Sequence, residues 1–116
     1  MVNPKFLKMY ILVKESLPSH KSVAIAHASL QCFLFYTHRM GHTENGRWMR
    51  EWELHSFRKV VCEVNDETFE AAKKLLPSTD YVIVTESAFD GAEVALAFCP
   101  RPDWPLEFKQ FSLCKF

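Results

Sequence analysis

Apolar and polar residues change their spacing several times along the chain, and each change marks an element. Residues 9–14, MYILVK, are a short apolar run with β-branched members, the pattern of a buried strand. Pro18 and Ser19 then start a helix that runs to about His38, with Pro suited to the first turn and Ser to the cap. Val23, Ala26, Leu30, Phe33 and Thr37 share one face of it; Ala24, Ile25, Ala28, Cys32 and Phe35 make the other side apolar too. A helix apolar all round is buried on more than one side. One side should meet a sheet, the other a second helix or another subunit.

Gly41 and TENG at 43–46 break the chain, and RWMREWEL at 47–54 reads as a short amphipathic helix. RKVVCEV at 58–64 is the second strand. NDETFEAAKKLL at 65–76 carries a full set of helix signals: Asn65 to cap it, Asp66 and Glu67 at its positive end, Lys73 and Lys74 in its last turn, Pro77 beyond. DYVIVTES at 80–87 and AEVALAFCP at 92–100 are the third and fourth strands, joined by a connection short enough for a hairpin. RPDWPLEF is a loop or short helix, and KQFSLCKF an extended tail. The order β-α-α-β-α-β-β favours right-handed crossovers and a final antiparallel strand. The fold class is therefore α/β, a three-layer α-β-α sandwich on a small four-stranded mixed sheet.

Composition narrows the function. A chain of 116 residues, 48% hydrophobic and 24% charged, suits one domain over 1–116 with a sizeable core. Fourteen basic residues balance fourteen acidic ones, which argues against a strong nonspecific nucleic-acid binder but leaves room for a local basic patch. Neither a signal peptide nor a run of about 20 apolar residues is visible, so a cytoplasmic location and no membrane contact are expected. Cys32, Cys62, Cys99 and Cys114 are scattered with no CxxC pair and read as reduced, mostly buried thiols. The pairs His38 and His42, and His20 and His27, lack a third ligand, so no metal is expected. With three glycines, no phosphate loop and no GxSxG or Cys-His signature, no cofactor is expected either.

Three segments resemble type 2 peptidyl-tRNA hydrolases: YILVKESLPSHKSVAIAHASLQCF their opening strand and helix, RKVVCEVNDETFEAAKKL their second strand and next helix, and VTESAFDGAEVALAFCP their closing hairpin. The resemblance covers nearly all of Met9 to Pro100 and implies hydrolysis of the ester joining a peptide to the terminal ribose of tRNA. It places His27-Ala28 on the family's His-Ala and Glu86 where fuller members carry Asp. Lys21 falls on the family's Lys if the turn slips by one residue. The family's Gln and Thr positions carry Ala24 and Val94, and another alignment puts His27 on the Gln position and leaves the His unmatched.

Ester hydrolysis needs an activated water, a stabilised oxyanion and cations for the RNA backbone. What the resemblance implies is His27 as base, Glu86 as its orienting partner, and Lys21 or His20 facing phosphate or oxyanion. Arg39 and Arg58 belong to a basic strip suited to tRNA. Each has a plain alternative. His27 shares a face with Val23 and Leu30 and reads more readily as a hydrogen-bonded core histidine; Lys21 is a solvated first-turn lysine, Glu86 a polar strand end, and Arg39 and Arg58 parts of a mixed charged surface. Trp48, Trp52 and Trp104 suit packing more than base stacking. Two functions remain: a peptidyl-tRNA hydrolase-like enzyme, homodimeric through helix 19–38, or a non-catalytic relative that binds RNA or a protein partner.

Overall fold

Strand β1, Lys8–Lys14, sets the architecture by sending alternate side chains to opposite faces. The computed structural model, which describes residues 6–115, places Met9, Ile11 and Val13 in one core and Tyr10 and Leu12 in the other. The remaining elements are α1 (Lys21–Leu34), α2 (Glu44–Glu51), β2 (Arg58–Val64), α3 (Asp66–Ala72), β3 (Tyr81–Glu86), β4 (Ala92–Arg101) and β5 (Ser112–Leu113). Helices α1 and α2 cover the first core, with Ala24, Ala28, Cys32, Met49 and Trp52 against Ala95, Ala97 and Cys99 of β4. Helix α3 covers the second, with Phe69 and Ala72 against Cys62, Leu96 and Phe98. The layers are α-β-α, as the spacing predicts.

The described residues form one mixed sheet of order β3-β4-β1-β2-β5, five strands instead of the four expected. The extra strand comes from the tail, where Ser112 and Leu113 pair with Glu63 and Cys62 along the open edge of β2. Strands β1 and β2 are parallel from Lys8↔Arg58 to Lys14↔Val64, as a crossover through two helices requires. Strand β4 is antiparallel to β1 and to β3, which leaves β3 at the other edge. The β3–β4 turn closes through Asp90 and Gly91 at φ 56° and 76°, a left-handed pair that the Asp-Gly dipeptide accommodates.

Three boundaries differ from the expectation. Helix α2 begins three residues earlier than the expected 47, because TENG is its first turn and not a break: the Thr43 hydroxyl accepts a hydrogen bond from Gly46 N at 3.1 Å. Gly46 is needed there because a Cβ would run into Met40 O and Gly41 Cα. Helix α1 begins at Lys21, with His20 at its cap in a left-handed conformation (φ 66°). Ser19 Oγ does not cap it and instead lies 2.7 Å from His20 Nδ1. Helix α3 ends at Ala72, not 76, as i→i−3 bonds from Lys74 N and Leu75 N tighten the chain into a turn.

Helix α1 is not buried all round. Ala24, Ala28 and Cys32 meet the sheet, while Val23, Leu30 and Leu34 face solvent in the single chain. It continues through a π turn, Phe35–Arg39, so that it projects along the full length of the sheet.

Candidate functional site

The C-terminal ends of the parallel strands, the first half of α1 and the β3–β4 turn converge at one end of the molecule. His27 lies within α1, on the flank that faces β3. Its Nε2 is 3.4 Å from Glu86 Oε2 at the end of β3. The His27 side chain is 52% exposed and that of Glu86 only 14%, so the imidazole opens to solvent while its carboxylate partner is shielded. A core histidine is therefore not what the fold builds. Val23 and Leu30, which share its face, are exposed with it.

Glu86 is aimed from behind. Its Oε1 accepts from Ala88 N at 3.3 Å and lies 3.4 Å from Ser87 Oγ, at the cap of the short 3-10 turn Ser87–Phe89. The other oxygen is left for His27. Such an arrangement orients an imidazole, the partner role in a base dyad. A separation of 3.4 Å is longer than a strong charge-assisted hydrogen bond, and pairs of this kind tighten when substrate excludes water. His20 stands beside the same turn, its ring edge-on to Phe89 with centroids 5.8 Å apart. His20, His27 and Glu86 are thus brought together around one turn.

Lys21 is at this end of the sheet but on the β2 flank. Its Nζ donates to Glu63 Oε2 at 3.1 Å. The same carboxylate accepts from Cys114 Sγ at 3.1 Å and from Lys115 N at 3.0 Å. The Cys114 hydrogen bond, then the Lys115 amide, then Lys21 hold Glu63 down to about 2. Burial, and then the Glu63 hydrogen bond, push the Cys114 thiol up to about 11. Glu63 thereby ties the helix start, β2 and the tail together. A carboxylate held this low favours the folded state above its ordinary pKa of 4.5, and that contribution is lost as pH falls from there to about 2. The thermal midpoint of the wild type should drop more steeply over that window than that of Glu63→Gln, and the two profiles should converge near pH 2. Parallel profiles would remove the tie.

Arg39 and Arg58 are not part of this cluster. Arg58 opens β2, six residues and about 20 Å from its far end. Arg39 ends the π turn, twelve residues and about 18 Å along the helix from His27. Both belong to the opposite end of the sheet. Nothing local in the sequence marks Glu63, whose partners are 42 and 51 residues away. The backbone amide behind Glu86 is likewise unsignalled, because short-range capping of this kind is the habit of Ser, Thr, Asn and Asp and not of Glu. Among the described residues, no cluster of three His, Cys, Asp or Glu side chains is placed to hold a metal ion. None of their helices is long and apolar enough to cross a membrane.

These features define an α/β sandwich with a histidine–carboxylate pair exposed at the C-terminal end of its parallel strands. The family model described as Peptidyl-tRNA hydrolase PTH2 matches residues 7–104, and the chain belongs to that family. No curated protein matches it. The family match ends before the short helix Leu106–Gln110 and before β5.

Proposed function

We propose that the protein hydrolyses the ester between a peptide and the terminal ribose of tRNA, with the His27–Glu86 pair as its working centre. Family membership supports the substrate class, and the one observation that carries the chemistry is an exposed imidazole held against a shielded, pre-aimed carboxylate. In the reaction, His27 takes a proton from water as the water oxygen bonds to the ester carbonyl carbon. Glu86 stabilises the imidazolium. The tetrahedral intermediate then breaks its bond to the ribose oxygen, which receives the proton from His27. His20 faces the oxyanion or a phosphate from the other side of the turn. Lys21 serves a phosphate only by exchanging Glu63 for it. Arg58 contacts a more distant part of the tRNA, and Arg39 a part of the substrate away from the ester. Single-turnover release of peptide from N-acetyl-aminoacyl-tRNA tests the reading. Peptidyl-tRNA arises on ribosomes, which supports a cytoplasmic location.

A second reading has its own observation. Ala24 and Val94, at the positions where the resemblance expects Gln and Thr, are both buried, and Lys21 is already neutralised. These features favour a non-catalytic relative that keeps the fold and binds RNA or a protein partner. Turnover dependent on His27 removes it.

We also propose a homodimer through the helix of residues 19–38. Leu30 is 57% exposed on the side of the helix that meets the exposed Phe57, and a second copy seated on these two would cover them while leaving His27 open. Light scattering at micromolar concentration should give twice the monomer mass, and Leu30→Asp should return the monomer. A monomer mass for the wild type would exclude the dimer.

A further inference from the structure

Along the flank of α1 that carries His27, a groove of about 520 Å³ lies beyond the His27–Glu86 pair, lined by Gln31, Leu34, Phe35, His38, Arg39 and Val82. Gln31 follows His27 by one helical turn, and His38 lies about 16 Å further along the helix than His27. The opposite wall is β3, which runs antiparallel to α1: Glu86 meets His27 at one end, and Val82 lines the groove with Phe35 and His38 at the other. Between Val82 and Glu86 the strand covers about 13 Å. Among the described residues β3 pairs with β4 alone, and its other edge carries backbone N–H and C=O groups with no strand partner there.

We propose that this groove holds the peptide portion of the substrate as an extended strand added to β3, over four to five residues. The inference rests on the hydrolase reading, because the ester at His27–Glu86 fixes which end of the peptide lies where. The peptide's C-terminal carbonyl sits at the pair, and its N-terminal side runs toward Arg39. Since β3 runs from Tyr81 to Glu86, the added strand is parallel to it. An extended chain advances about 3.3 Å per residue, so the length of the groove sets the number of residues held. The backbone pairs with the free strand edge, which makes binding tolerant of sequence, while Leu34, Phe35 and Val82 favour apolar side chains. Gln31 offers both a donor and an acceptor to the peptide backbone from the helix side. Arg39 closes the far end and disfavours a charged amino group there.

The deciding experiment titrates an N-acetylated pentapeptide of valine, leucine and threonine, with a free C-terminal carboxylate, into the full ¹⁵N-labelled chain. Acetylation removes the ammonium that would face Arg39. Shifts should appear at the β3 amides and the Gln31 side-chain amide, with slowed exchange at alternate β3 amides. Leu34→Asp should weaken binding about tenfold or more, whereas Leu106→Asp, on an exposed residue far from the groove, should not. The spectra also report whether each variant is folded. Alongside, kcat/KM for acetyl-pentapeptidyl-tRNA should exceed that for acetyl-aminoacyl-tRNA by about tenfold. Shifts that fall elsewhere, or none at millimolar peptide, overturn the groove. So does hydrolysis that is indifferent to peptide length, and that result would leave the hydrolase reading intact. Hydrolysis of neither substrate, with the peptide still shifting β3, would sink the hydrolase reading and retain the groove.

Discussion

Replacing His27 by alanine should slow peptide release from N-acetyl-aminoacyl-tRNA by about 10²- to 10⁴-fold in single turnover, the range lost when a positioned general base is removed. That range corresponds to roughly 3–5 kcal/mol of transition-state stabilisation. Little of it should come from folding, because the side chain is half exposed and its ionic contact is with Glu86. The loss should fall on the chemical step more than on tRNA affinity, since the imidazole acts on the attacking water. Glu86→Gln should give a smaller loss in the same direction: the shape stays, but the charge that stabilises the imidazolium goes. Equal rates for wild type and His27→Ala would move the reaction away from this pair. Absence of release from both would leave the fold as a binding module, the role that buried Ala24 and Val94 favour.

The extent to which the sequence announces these features depends on how local their causes are. Strand β2 spans the expected residues, 58–64, because a β-branched run between a helix end and Asn65 leaves little choice of boundary. Helix α3 starts where Asn65 and the acids after it say it should, and the Asn65 side chain accepts from Thr68 N at 2.7 Å. The start of α2 was hidden because Gly46 looks like punctuation. Only the close approach of Met40 and Gly41 explains a glycine inside that helix. The face of α1 was ambiguous for a related reason. Small residues, Ala24 and Ala28, mark its buried side, and the larger Val23 and Leu30 lie outside, so ranking positions by hydrophobicity points the wrong way. His27 meeting Glu86 is a contact between residues 59 positions apart in sequence, legible through the family resemblance and not through periodicity. Lys21 meeting Glu63, and Glu63 meeting Cys114, had no comparable signal.

The second large effect is expected far from the site, at Phe108. The sequence leaves RPDWPLEF as a loop or short helix, and the family match ends at residue 104. On those grounds the segment is an appendage. Its packing says otherwise. Phe108 is 1% exposed and packs edge-on to Tyr10, Phe98 and Phe111, with ring centroids 5.0, 4.9 and 5.3 Å away. Trp104 tilts against it at 4.8 Å. These rings close the second core at the edge that α3 does not reach, and they bring the following residues to β2, where β5 pairs and Glu63 takes hold of Lys115. Phe108→Ala should therefore destabilise the protein by about 3–5 kcal/mol, the cost of removing a buried aromatic and leaving a cavity. Phe111→Ala, at a partly buried position, should cost less. Chemical denaturation of the three proteins measures both differences. Loss of Phe108 should also free the tail, so that Cys114 reacts faster with a thiol reagent under native conditions as its hydrogen bond to Glu63 breaks. A change below about 1 kcal/mol, with Cys114 no more reactive, would mean that the core is complete without residues 105–115 and that the family's matched region folds without them.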